Sequence, residues 1–283
     1  MQLACGTHRL DLSRPQVMGI LNTTPDSFSD GGHYYRNGQL SLARALERGR
    51  QMLAEGAAII DVGGESTRPG AVPVSEQEEL DRVVPVVERL VAELGALVSV
   101  DTSRPGVIRE AAAAGAGMLN DVRALTRDGA LQAAADTGLP VCVMHMQGQP
   151  DTMQAQPAYG DVVSEVKGFL HHRIDACRAA GIGPERLILD PGFGFGKTLA
   201  HNLALLRRLP ELVALGYPVL VGMSRKSMLE HLLGRALEDR LAGSLALALA
   251  AAQRGAHIIR VHDVAATRDV LDVEAALHSP LDD

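Results

Sequence analysis

Short runs rich in Val, Ile and Leu recur along this chain. Each is followed by a polar or glycine-rich loop, then by a stretch in which apolar residues return every three or four positions. The runs end near Leu21, Val62, Val100, Leu119, Met144, Leu189, Gly222 and Ile259. None alternates strictly, the pattern of strands buried on both faces. The intervening stretches read as amphipathic helices. Leu42, Ala45, Leu46, Met52 and Leu53 form one stripe, stopped at Gly56. Leu80, Val83, Val84, Val87, Val91 and Leu94 form another; Ser75 and Glu78 have capping-box spacing before it, and Gly95 stops it. Val162, Val163, Val166, Leu170, Ile174 and Cys177 form a third, ending at Gly181.

Strands alternating with helices imply parallel pairing and right-handed crossovers. Eight such units predict an α/β fold closed as a (β/α)8 TIM barrel, and 283 residues suit one barrel. Residues 2–14 read as a short hairpin over the barrel floor. With no linker or low-complexity segment visible, one domain spanning 1–283 is expected.

Composition narrows the function classes. Hydrophobic residues make up 46% and charged residues 22%, the balance of a globular chain with a large core. A net charge of −7 argues against nucleic acid as a partner, although a local cationic cluster can still bind an anionic ligand. Cys5, Cys142 and Cys177 have neither disulfide-framework nor metal-site spacing and read as reduced thiols. The N-terminus lacks a basic segment followed by a long apolar run, so a cytoplasmic location is expected. The apolar stretch Leu245–Ala252 is far short of the ~20 residues that span a bilayer, so no membrane partner is expected.

The chemistry is concentrated where the apolar runs end. Asn22 follows the first and Asp61 lies inside the end of the second. Asp101 closes the third, Asn120 and Asp121 the fourth, and His145 and Asp190 the fifth and sixth. Ser224, Arg225 and Lys226 follow the seventh; Arg260 and His262 bracket the end of the eighth. In a (β/α)8 barrel these ends converge on one mouth, where active sites sit. Asp101, Asn120 and Asp190 are acceptors that suit a heterocycle presenting N–H and NH2 donors, such as a pterin or guanine edge. Arg260 with His262 suits a phosphate or pyrophosphate, and Asn22 is a candidate oxygen ligand for Mg2+ beside it.

Two other motifs carry less. Residues 191–198 approach a phosphate-binding P-loop, but Pro191 stands at the first glycine position. Their glycines read instead as letting backbone approach a ligand beside Asp190. His171-His172 has no third ligand at useful spacing and reads as a solvated helix face. Lys226 is open to a Schiff-base or a hydrogen-bonding role, with Arg225 placed to lower its pKa.

The strand-end residues then fall into longer motifs. Gly19-Ile20-Leu21-Asn22-Thr23-Thr24-Pro25-Asp26-Ser27-Phe28-Ser29-Asp30-Gly31-Gly32 resembles the first signature of the dihydropteroate synthases, and Asp61-Val62-Gly63-Gly64-Glu65-Ser66-Thr67-Arg68-Pro69-Gly70 resembles their second. Ser99-Val100-Asp101-Thr102, Asn120-Asp121-Val122, Met144-His145-Met146, Asp190 to Lys197, Gly222 to Ser227 and Arg260-Val261-His262-Asp263 continue the likeness in order, over about residues 16 to 270. The resemblance implies a transferase of folate synthesis that joins hydroxymethyl-dihydropterin pyrophosphate to 4-aminobenzoate. It implies that Asp101, Asn120, Asp190 and Lys226 hold the pterin beside Gly222, with Met144 and Phe195 lining its slot. Arg260 would stack on the ring and reach the pyrophosphate. Asn22 and His262 would bind pyrophosphate, Asn22 together with Mg2+. Phe28, Thr67, Arg68, Pro69 and Ser227 would form the aminobenzoate site, and Asp30 would act as the loops after the first two strands close. Asp30, Asp101, Asp190 and Lys226 are thus the implied catalytic residues.

A rival within the fold is the pterin-binding module of corrinoid methyltransferases, which would share the pterin pocket without needing Thr67-Arg68-Pro69 or Ser227. A non-catalytic paralogue should have lost Asp30 or the Arg260–His262 pair, and these are intact. Pro69 runs directly into Gly70-Ala71 with no insertion, which implies sensitivity to sulfonamides. The Leu241–Gln253 helix is apolar on most sides. It is buried either between neighbouring helices or against a second subunit, as in the family's homodimers.

Overall fold

The computed structural model describes residues 1–24, 35–36, 39–66, 73–148, 152–154 and 156–278. An antiparallel hairpin of β1 (Gln2–Cys5) and β2 (His8–Asp11) precedes β3 (Gln16–Asn22). The two-residue strands β4 (Tyr35–Arg36) and β5 (Gln39–Leu40) pair with each other before α1 (Leu42–Ala54). Strand and helix then alternate: β6 (Ile59–Gly63), α2 (Glu76–Leu94), β7 (Val98–Asp101), α3 (Pro105–Ala113), β8 (Met118–Asp121), α4 (Ala130–Thr137), β9 (Val141–Met144) and α5 (Val162–Ala179). The second half continues with β10 (Leu187–Asp190), α6 (Leu199–Arg207), α7 (Pro210–Val213), β11 (Leu220–Val221), α8 (Ser227–Leu233), α9 (Leu241–Ala252), β12 (Ile258–Val261) and α10 (Val264–His278).

Eight strands pair in parallel in the order β10-β9-β8-β7-β6-β3-β12-β11. A parallel bridge between Leu189 and Val219 joins the two ends of that order, and the Leu189 amide donates to Pro218 O at 2.9 Å. This closes the expected barrel. The helix signals hold with one change. Ser75 Oγ accepts from the Glu78 amide at 3.1 Å, but the Glu78 carboxylate turns outward to Arg82, and that pair supports α2 from its exposed side.

Two apolar clusters carry the fold. One lies between sheet and helices; Val17, Ile60, Val98, Leu119, Val143, Leu189, Val221 and Ile259 face outward into it. The other fills the floor. There Met18, Ile59, Leu97, Met118, Cys142, Ile188, Leu220 and Ile258 pack under Leu3, Cys5, Leu10 and Leu12 of the hairpin. The hairpin therefore stoppers the barrel, as its sequence suggested, and Cys5 is wholly buried there. Each fully buried aliphatic side chain contributes roughly 1.5–3 kcal/mol, so these clusters can support an inward face that turns polar higher up.

It does turn polar, with period two. Two residues beyond the floor positions stand Ile20, Asp61, Ser99, Asn120, Met144, Asp190, Gly222 and Arg260. Most strands thus run from apolar on both faces to polar inside at the C-terminal end. With so few inward polar positions per strand, no alternation is visible along the chain. His171 and His172 are exposed, as expected of a solvated face. Among the described residues, no helix is long and apolar enough to cross a membrane.

Candidate active site at the barrel mouth

A cavity of about 490 Å3 opens where the strands end. All eight residues assigned to the pterin by resemblance, Asp101, Asn120, Met144, Asp190, Phe195, Gly222, Lys226 and Arg260, line it. Asn22, Ser227 and His262 line it too. Phe28, Asp30, Thr67, Arg68 and Pro69 lie outside the described residues.

The centre of the polar layer is an ion-pair relay. Arg260 Nε lies 2.6 Å from Asp61 Oδ2, and its Nη2 lies 3.1 Å from Asp101 Oδ2. Asn120 Nδ2 donates to the same Asp61 oxygen at 3.2 Å. Burial works against the Arg260 charge, but Asp61 and Asp101 outweigh it and hold its pKa above the ordinary value. Burial pushes the Asp101 carboxyl up to about 8; Arg260 opposes that shift, while Asp61, Asp121 and Glu79 add to it.

Across the cavity, Asp190 is also raised by burial, against the pull of Lys226. Its Oδ1 accepts from the Gly192 amide at 2.7 Å. Burial lowers Lys226 to about 8; Asp190 opposes and Arg260 reinforces the shift. The Lys226 ammonium donates to Phe193 O and stands 4.6 Å from the centre of the Phe195 ring, a cation–π distance. Arg225 is not the cation beside it. Arg225 turns away to a two-pronged pair with Asp263, Nε and Nη2 at 2.8 and 2.6 Å, with a positive φ of 57°. Adjacent residues on a strand-end turn point apart, which sequence proximity does not reveal.

The glycine-rich loop departs from expectation in part. A Cβ on Gly192 would lie 1.9 Å from His145 O, and one on Gly196 would lie 2.4 Å from Gln147 O; both have positive φ. Gly192 and Gly196 thus admit the backbone after β9, whereas Gly194 lines the cavity, as expected of a glycine beside Asp190. Lys197 completes the clasp. Its Nζ is within 2.9 Å of His145 Nδ1 and Gly192 O, and within 3.0 Å of Phe195 O. Burial drives Lys197 down to about 7 and His145 to about 3. The lysine of the near-P-loop is therefore a buried structural tie.

On the phosphate side, Ser224 Oγ lies 3.0 Å from His262 Nδ1 and accepts from the His262 amide at 3.2 Å. Glu65 and Ser66 bring the start of the loop after β6 to the rim. Glu65 pairs with Arg123 at 2.8 Å, and Asp121 accepts from Ser103, the Arg123 amide and the Leu125 amide. Asp61, Ser224 and Lys197 were not assigned site roles from the sequence. For Asp61 the signal was an acid inside an apolar strand.

The comparisons with known proteins agree with this geometry. The family model for pterin binding enzymes matches residues 18–262. The chain is 56% identical to the dihydropteroate synthase of Escherichia coli (strain K12) over 276 residues, covering 98% of this chain and 96% of that one. The chain belongs to the dihydropteroate synthase family. A solved synthase of Yersinia pestis, in complex with a sulfonamide drug, superposes with a TM-score of 0.95 at 56% identity and covers 99% of this chain and 100% of its own. A Xanthomonas albilineans synthase in complex with 7,8-dihydropteroate gives 0.88 at 50% identity, covering 99% and 100%. Full-length identity to synthases leaves no support for the corrinoid-module alternative. In this member of the dihydropteroate synthase family, residues of the strand-end motifs line the cavity, among them Ile20, Asn120, Met144, Asp190, Gly222 and Arg260 of the period-two layer.

Proposed function

We propose that this chain joins hydroxymethyl-dihydropterin pyrophosphate to 4-aminobenzoate, giving 7,8-dihydropteroate and pyrophosphate. One observation carries the reading: a single cavity sets the acceptors Asp101, Asn120 and Asp190 against the cations Arg260 and Lys226, with Asn22 and His262 beside them. The carboxylates and Asn120 take up the pterin's N–H and NH2 donors, and Met144 and Phe195 cover its faces. The arylamine nitrogen attacks the pterin methylene carbon. The methylene C–O bond breaks, pyrophosphate leaves with the electron pair, and the amine loses a proton to solvent. No protein nucleophile is required. Asp101 and Asp190 stabilise the positive charge that develops on the pterin, and Arg260 and His262 stabilise the leaving group.

Mg2+ belongs to the same reading. Among the described residues no group of three acidic, His or Cys side chains is placed to hold a metal. An amide oxygen from Asn22 plus pyrophosphate oxygens and water is, however, the donor set on which Mg2+ commonly relies. Bound there, the ion would neutralise leaving-group charge. Phe28, Thr67, Arg68, Pro69 and Ser227 would hold the amine, with Asp30 acting as the loops close. A homodimer through the α8–α9 face fits the exposure of Leu232, Leu233 and Leu241, 49%, 48% and 38%; light scattering after gel filtration tests it.

The deciding experiment is pyrophosphate release with the pterin substrate and Mg2+, with and without 4-aminobenzoate. Amine-dependent release with dihydropteroate as product is expected. Pterin binding with no amine-dependent release would overturn the reading.

A further inference from the structure

Asp61 has no assigned part in the reaction, yet it stands at the centre of the polar layer. Its residue is wholly buried and does not line the cavity, so it cannot touch a ligand there. Its Oδ2 accepts from Arg260 Nε at 2.6 Å and from Asn120 Nδ2 at 3.2 Å, while Oδ1 has no hydrogen-bond partner among the described residues. A buried carboxylate with one orphaned oxygen is a poor stability device, since an ion pair in an apolar surround can be replaced by apolar packing at little loss.

We propose that Asp61 is a positioning residue, which through one carboxylate oxygen orients both the guanidinium of Arg260 and the amide of Asn120 toward the pterin substrate. The two side chains come from β12 and β8, and β6 supplies the acid between them. Arg260 also bonds Asp101, which faces the cavity. When Asp101 turns to a substrate donor, Asp61 is the partner that keeps Arg260 in place. Asp61 also bears on Asp101 itself. The charged groups around Asp101 are Arg260 from β12, Asp61 from β6, Asp121 from β8 and Glu79 from α2; removing Asp61 removes a negative neighbour and leaves Arg260 to Asp101 alone.

The inference rests on the proposed reaction, and amine-dependent pyrophosphate release by the wild-type enzyme tests that reading separately. The test of Asp61 is Asp61→Asn, which keeps shape and one acceptor but not charge, combined with Arg260→Gln in a double-mutant cycle. The single variant is expected to fold and to lose about tenfold or more in kcat/KM for the pterin substrate, the loss of one charge-assisted hydrogen bond, with KM for the amine unchanged. Its acidic pH limb should move to lower pH, and adding Arg260→Gln should cost little more than Arg260→Gln alone. Wild-type kcat/KM, equal losses for both substrates, effects that add across the cycle, or a variant that fails to fold would make Asp61 a structural carboxylate and overturn the proposal.

Discussion

Lys197 Nζ meets His145 Nδ1 at 2.9 Å, across the boundary between the loops that follow β9 and β10. The same ammonium reaches the carbonyls of His145, Gly192 and Phe195 at 3.3, 2.9 and 3.0 Å. Its three hydrogens are shared among these four acceptors, and His145, its pKa lowered to about 3 chiefly by burial, is neutral. Phe195, on the cavity wall, is held by this tie. Lys197→Met leaves several carbonyls without their donor. It should lower stability by about 3 kcal/mol and raise KM for the pterin substrate. Thermal unfolding and initial rates check this; unchanged Tm and KM would refute it.

Asp101→Asn keeps an acceptor for Arg260 but removes the charge that opposes the developing cation. Turnover should fall roughly 10²–10³-fold, as for loss of one preorganised electrostatic contact. Asp101 faces the cavity, so the circular dichroism spectrum and Tm should stay close to wild type. Wild-type turnover would sink the assignment.

The pH profile follows from two groups displaced toward each other. Asp101, raised to about 8 chiefly by burial, must lose its proton to act, so activity rises with pH through its limb. Lys226, lowered to about 8 chiefly by burial, must keep its proton, so activity falls through its limb. A narrow bell of kcat/KM near pH 8 is expected, with limbs that belong to the coupled pair. Lys226→Arg, which cannot lose its charge in this range, should weaken activity and abolish the alkaline limb. A profile that stays flat from about two pH units below that centre to about two above it would contradict both roles.

Gly192→Ala tests the clasp from the backbone side. The new Cβ would meet His145 O at 1.9 Å with φ at +69°, and that oxygen belongs to backbone which cannot swing aside. Destabilisation of roughly 3 kcal/mol or more is expected, visible as a fall in Tm of several degrees. A variant as stable as wild type would show that the loop tolerates a side chain there.

Sulfonamides should compete with 4-aminobenzoate. In the sequence, Pro69, Gly70 and Ala71 run consecutively with no insertion, and the related Yersinia pestis synthase is solved with a sulfonamide drug. An inhibition titration at several amine concentrations checks this, and strong resistance would contradict it.

Much of this molecule was legible in its sequence. The eight strand–helix units, the floor hairpin and the convergence of Asp101, Asn120, Asp190, Lys226 and Arg260 follow from local periodicity and from the rule that parallel strand ends share one mouth. What the sequence could not state is which neighbour each polar group faces. Asp61 and Arg260 are 199 residues apart, yet share a 2.6 Å contact, whereas Arg225 and Lys226 are adjacent and turn to different partners. Lys197 sits in a near-P-loop and proved to be a buried tie, because the His145 that it joins to its own loop comes from the end of a different strand. The sequence by itself determined the repeating units and the chemistry available at their ends, since both arise from local spacing. Only the tertiary structure decided the pairing and burial of those charges, since both depend on which strands the closed barrel sets side by side.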